Sequence, residues 1–106
     1  MQKSIFSKII NREIKSEIIA ENDNIIVIKD INPQAPIHLL IIPKKEFENI
    51  ATMKNEESIY GQYIFEMANY LSKTIPGANN FKLLINNGKE AGQCIFHIHA
   101  HFLSGL

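Results

Sequence analysis

Hydrophobic residues fall along this chain in short blocks whose period changes from one to the next. From Ser4 to Ile10, the residues Ile5, Phe6, Ile9 and Ile10 recur at helical spacing, and Ser4 is suited to cap that short helix. Ile18 to Glu21 and Ile25 to Lys29 are β-branched runs on either side of Asn22-Asp23-Asn24. Asn and Asp tolerate the left-handed backbone of tight turns, so this pattern predicts a hairpin. Asp30 to Pro36 carries two prolines and must be a connection. Ile37 to Ile42 is a strand stopped by Pro43, and Lys44 to Met53 has no clear period.

Asn55 to Thr74 is the one long helix. Asn55 serves as N-cap, Glu56 and Glu57 sit at the positive end of the dipole, and Ile59, Tyr63, Met67, Tyr70 and Leu71 recur along it. Pro76-Gly77 ends it. Phe81 to Ile85 is a further strand, Asn86-Asn87-Gly88 turns the chain, Gly88 to Gln93 is a polar loop, and Phe96 to Leu103 is the last strand. Short strands joined by tight turns predict an α+β fold. It is an antiparallel sheet of about five strands with one long and one short helix, forming a single domain over residues 1–106.

Composition narrows the function classes. A chain of 106 residues, 45% of them hydrophobic, can bury a core without disulfides. Lys plus Arg and Asp plus Glu both number 11, which argues against bulk electrostatic binding to nucleic acid or acidic membranes and leaves room for a local anion site. The longest purely apolar run, Leu39 to Ile42, is far short of the roughly 20 residues of a membrane span. Met1 to Ser7 lacks the apolar stretch of a secretory signal. Cys94 is the single cysteine, which suits a reducing, cytoplasmic compartment.

The chemistry concentrates in Phe96-His97-Ile98-His99-Ala100-His101-Phe102, which holds three of the chain's 4 histidines. On a strand of period two, His97, His99 and His101 share one face, with neighbours about 7 Å apart. Phe96, Ile98, Ala100 and Phe102 take the other face, under the helices. The residues alone leave three readings open: a solvated polar face, a metal site, and nucleophilic catalysis by one imidazole with its neighbours handling protons. No carboxylate or thiol stands at a recognisable ligand spacing. The loop that leads into the strand favours catalysis, because Gly88 and Gly92 let backbone amides approach an anion.

The segment Gly92-Gln93-Cys94-Ile95-Phe96-His97-Ile98-His99-Ala100-His101-Phe102-Leu103 resembles the histidine-triad signature. The resemblance extends over Phe6 to Ile10, Asp30 to His38 and Leu40 to Lys45, which together look like the Hint branch of adenosine phosphoramidases and related purine nucleotide hydrolases. It implies cleavage of a nucleoside phosphoramidate, or a similar α-phosphate bond, through a nucleotidyl-histidine. It implies His99 as nucleophile, His101 at the leaving group, His97 in support, and His38 as the fourth histidine of the site. Asn86, Gly92, Gln93 and Cys94, with His99 and His101, would hold the phosphate. Asp30 would accept the ribose hydroxyls, and Ile5, Phe6, Ile9, Ile28 and Ile31 would wall the base pocket. The implied protein is a homodimer that binds a purine nucleotide of AMP type and needs no cofactor. A dinucleoside polyphosphate hydrolase, or a non-catalytic nucleotide-binding or interaction protein, would suit the same residues.

Two departures stand out. Many bacterial relatives carry Cys-x-x-Cys near the N-terminus and a histidine after Pro-Lys-Lys, which help form a structural zinc site. Here those positions are Ser4, Ser7 and Glu46, poor zinc ligands beside thiolates, so no metal is expected. Position 94 is usually Ser or Thr in the branch and is Cys here, which keeps the backbone amide and weakens the side-chain contact to phosphate. Cys94→Ser is therefore expected to keep or raise turnover of an adenosine phosphoramidate in a steady-state assay. A large loss would count against assigning this loop to the phosphate.

Overall fold

The computed structural model describes residues 3–105. Helix α1 (Ile5–Ile10) is followed by strands β1 (Ile18–Glu21), β2 (Ile25–Lys29) and β3 (Ile37–Pro43), helix α2 (Ile59–Thr74), then β4 (Phe81–Leu84) and β5 (Ala100–Ser104). The strands make one antiparallel sheet in the order β1-β2-β3-β5-β4, the α+β architecture expected. No helix among the described residues is long and apolar enough to cross a membrane.

The two central strands are buried on both faces, which is why their sequences read as unbroken apolar runs. Alternate side chains point to opposite sides of a strand. Ile25 and Val27 of β2, Leu39 and Ile41 of β3, and Ala100 and Phe102 of β5 face α2, which contributes Ile64, Met67, Ala68 and Leu71. Ile26 and Ile28 of β2, with Leu40 and Ile42 of β3, face the other way, onto Phe6 and Ile9 of α1. His38 and His101 belong to this second face by the same alternation. Cross-strand register sets Leu40 opposite His101.

The α2 stripe is rotated from the one expected. Ile64, Met67, Ala68 and Leu71, spaced i, i+3, i+4, i+7, are buried, whereas Ile59 and Tyr70 are exposed. Tyr60 and Tyr63 pack at the rim of the core, where a phenol can reach water. The helix also starts later. Asn55–Ser58 is a tight 3₁₀ turn, and Asn55 is inside it rather than capping it. That turn is held by the Lys54 N–H donating to Glu57 Oε1 (2.7 Å) and by Lys45 Nζ on Glu57 Oε2 (2.9 Å).

The last strand is shorter than expected. Regular pairing begins only at Ala100, opposite Ile41. Before it the chain is held by other contacts: the Ile98 N–H donates to the Phe47 carbonyl (2.8 Å), and the His97 ring reaches Pro43. Pro43 closes β3 at its pairing with Ile25, so no regular strand remains for residues 96–99 to join. Phe96 is half exposed, not packed under a helix, and His97 does not share a strand face with His101. β4 ends at Leu84, and the polar loop contains a 3₁₀ turn, Lys89–Ala91, between Gly88 and Gly92, both at positive φ (94° and 97°).

Phe102 is fully buried and stacks on Phe81 with ring centroids 4.5 Å apart. Phe102→Ala is expected to cost about 3–5 kcal/mol in urea denaturation, through lost burial and the cavity left behind.

Candidate active site

A cavity of about 530 Å³ opens on the α1 face of the sheet. Its apolar walls are Ile5, Phe6 and Ile9 from α1, Ile28 and Leu40 from the sheet, and the exposed Ile31. Its polar lining includes Asp30, His38, His99, His101, Asn86, Gly92 and Cys94. Twelve residues expected at the site from sequence, from Ile5 to His101, thus meet in one cleft. Their chain positions are far apart, and they meet because β3 and β5 are neighbours and α1 folds back over β2 and β3.

The hydrogen bonds assign the histidine protons. His97 Nε2 lies 2.7 Å from the Pro43 carbonyl oxygen, which can only accept, so Nε2 carries the hydrogen. His97 Nδ1 then accepts, from the Ser4 hydroxyl at 2.7 Å. His99 Nδ1 faces the His97 carbonyl oxygen at 2.8 Å and must donate, which leaves His99 Nε2 as a bare lone pair. On the neighbouring strand the Gln34 N–H donates to His38 Nδ1 (2.9 Å), so His38 holds its hydrogen on Nε2. That hydrogen is directed to His101 Nδ1 at 2.9 Å, with Asp30 Oδ2 3.3 Å away. His101 therefore carries its own hydrogen on Nε2. Every buried side-chain nitrogen or oxygen among the described residues has a partner. The Nε2 atoms of His99 and His101, which have none in the protein, accordingly open on the cavity. The two rings are 5.2 Å apart between centroids.

Burial lowers the pKa of all three triad histidines. For His97 it outweighs the opposing bond to Pro43 and the nearby Glu46. For His99 it outweighs the bond to the His97 carbonyl and the attraction of Asp30. For His101 the positive charge that His99 and His38 would carry adds to burial. Near neutral pH the triad is uncharged, the state in which an imidazole can attack.

Two expected residues do not line the cavity. His97 is wholly buried behind it and acts through its carbonyl. Gln93 is buried too, its amide spent on the Gly88 N–H, Asn49, and the Glu48 and Ile95 carbonyls, so it braces the loop instead of meeting a ligand. The backbone N–H groups of Gly92 and Gln93 are also engaged, on Lys89 and Gly88. Among the described residues the Cys94 N–H makes no such bond, and Cys94 lines the cavity. Gly92 holds a left-handed backbone (φ 97°) that L side chains rarely adopt, and this, not lack of space, is what calls for glycine: a Cβ there would meet the Asn86 amide at an ordinary 3.6 Å.

Sequence reasoning missed Gln34, which sets the His38 tautomer, and the apolar walls Ile14, Leu40 and Ile95. Asp30, His38 and His101 bring potential metal ligands within 4.8 Å of one another. However, His38 could offer Nε2 to a metal only by moving its hydrogen to Nδ1, which faces the Gln34 N–H. The cluster is better satisfied as a hydrogen-bond chain.

A profile of the HIT domain family matches residues 11–106. An HIT-like protein from Synechocystis is 40% identical over 98% of this chain and 91% of its own length. The solved structure of an HIT family hydrolase from Clostridium thermocellum has a TM-score of 0.94 and 38% identity, covering 100% of this chain and 93% of that one. A histidine triad protein from Clostridium difficile has a TM-score of 0.93 at 32% identity, covering 100% and 95%.

The lowered histidine pKa values set a stability window. The ordinary imidazole value is 6.5, and the folded values lie below it. As pH falls through 6.5 the unfolded chain takes up protons that the folded chain refuses, so stability declines, and the decline levels off below the folded values. Melting temperature should be flat above about pH 7 and fall between about pH 6.5 and 5.5, before carboxylates titrate. A rise on acidification would contradict a neutral triad.

Proposed function

Because this chain belongs to the histidine-triad, or HIT, domain family, we propose that it is a nucleotide hydrolase or transferase of the Hint type. It acts on purine nucleoside phosphoramidates or related α-phosphate bonds. The observation that carries this reading is the His99–His101 pair. An imidazole nitrogen with a free lone pair stands beside one that bears a hydrogen, both open on a cleft with apolar walls. The reading also agrees with the C. thermocellum relative, itself an HIT family hydrolase.

In this scheme the base lies among Ile5, Phe6, Ile9, Ile28 and Ile31, and the ribose hydroxyls donate to Asp30. One Asp30 oxygen already accepts from the Asn32 N–H (2.8 Å), but a carboxylate has about four acceptor sites, so capacity remains. Asn86 and the Cys94 N–H meet the phosphate and stabilise the charge that builds on its oxygens. His99 Nε2 gives its lone pair to the α-phosphorus. As that N–P bond forms, the bond to the leaving nitrogen breaks and its electron pair goes to that nitrogen. His101 passes its Nε2 hydrogen to the departing nitrogen, which leaves as an amine, and His101 recovers a hydrogen from the water of the second step. Water then attacks the nucleotidyl-His99, and Nε2 recovers its lone pair. In net, one water is consumed: its hydroxyl ends on phosphorus and its other hydrogen replaces the one that left with the amine. The reading includes a homodimer in a reducing, cytoplasmic compartment.

His99→Ala is expected to lower turnover of an adenosine phosphoramidate by about 10³-fold or more. Intact-mass spectrometry of protein quenched during turnover should show a nucleotidyl adduct on the unsubstituted chain, absent from the variant. Near-normal turnover by the variant would refute the assignment.

A further inference from the structure

Behind the cavity, on the side away from substrate, a second polar network joins the N-terminus of α1 to the triad. We propose that Ser4, Glu46 and His97 form a metal-free clasp that fixes the tautomer and position of His99, with Ser4 and Glu46 as positioning residues.

The donor set does not fit the zinc that the family resemblance brings to these positions. Ser4 and Ser7 offer neutral hydroxyls, both already committed, and Glu46 is the one carboxylate. Each group is instead used by another. Glu46 Oε1 accepts from the Ser4 N–H at 3.0 Å and the Ser7 hydroxyl at 2.6 Å, bonds that hold its carboxyl below the usual range, hence ionised. Ser4 Oγ accepts from the Ser7 N–H at 3.0 Å, which caps α1, so its single hydrogen is free for His97 Nδ1. Glu46 itself lies 4.0 Å from that nitrogen, too far to bond, and the serine hydroxyl is the link.

The clasp leaves His97 one stable state. Its ring is fully buried, and its Nε2–H must stay on Pro43, because the opposite tautomer would set a lone pair against a carbonyl oxygen. With the ring held, the His97 carbonyl stays where it receives the His99 Nδ1–H, and that bond is what frees His99 Nε2. The same serine starts the helix that carries Phe6, whose ring meets His97 and His99 edge-on at 5.7 and 4.9 Å. Base wall and nucleophile are therefore held by one hydroxyl.

The test is ¹H–¹⁵N imidazole NMR of the full chain, with melting curves and steady-state kinetics, for wild type, Ser4→Ala, Ser4→Thr and Glu46→Gln. The kinetic arm rests on the proposed nucleotide hydrolysis, and the spectra do not. Wild type should show His99 as a single Nδ1–H tautomer. Ser4→Ala strips the buried His97 Nδ1 of its donor, so the ring should loosen from Pro43 and give mixed tautomers at His97 and His99, and kcat should fall about tenfold or more, a larger factor than any rise in KM. Ser4→Thr, which keeps the hydroxyl, should restore both. A folded Ser4→Ala that keeps the His99 tautomer and the wild-type kcat would overturn the clasp. So would a kcat loss that merely follows the folded fraction and is not rescued by threonine. If Ser4→Ala does not fold, Glu46→Gln decides, and an unchanged His99 spectrum there also overturns it. If wild type cleaves no phosphoramidate, the substrate reading fails while the spectra still judge the clasp.

Discussion

A fully buried imidazole has two nitrogens to satisfy, and His97 satisfies them with atoms from distant parts of the chain. Pro43 at the end of β3 takes one, and Ser4 at the head of α1 supplies the other. Leaving either unmet inside the protein would cost about 1–3 kcal/mol. This pair of bonds ties α1 to the end of β3, holds residues 96–99 where β3 has run out, and turns the His97 carbonyl toward His99. The cleft, its apolar wall and the open nitrogen of His99 all follow from that placement.

The same logic of single hydrogens runs through the site. A neutral imidazole has one N–H, so naming the partner of one nitrogen determines the other. Pro43 determines His97, the His97 carbonyl determines His99, and Gln34 determines His38 and through it His101. Two adjacent rings end with opposite character at their exposed atoms without any charged group between them. Desolvation, which opposes a charged histidine, keeps both rings in the state this arrangement needs.

Much of this was readable from the residues. The apolar runs of β2 and β3 announce strands buried on both faces, and the turn clusters mark the hairpin. The cleft residues His38, Asp30, Asn86 and the α1 wall came through motif resemblance, because each alone looks like ordinary core or turn. Three of the misses have clear physical causes. Period two failed at His97, since the strand it needed as a partner stops at Pro43, a fact of tertiary pairing. Gln93 was taken for a phosphate contact because position in a motif does not reveal where a side-chain amide points. The face of α2 was misjudged where tyrosines, apolar in a pattern, prefer the rim.

The two-sided sheet has an implication for changing this protein. Along β2 and β3, neighbouring residues serve different masters: Val27 and Ile41 pack in the α2 layer, while Ile28 and Leu40 border the cleft. A library confined to the α2-facing positions would search for thermal robustness with little risk to chemistry. One confined to the α1-facing positions would retune ligand preference and leave the larger hydrophobic layer intact. Adjacent letters in one strand thus make up two nearly independent design problems.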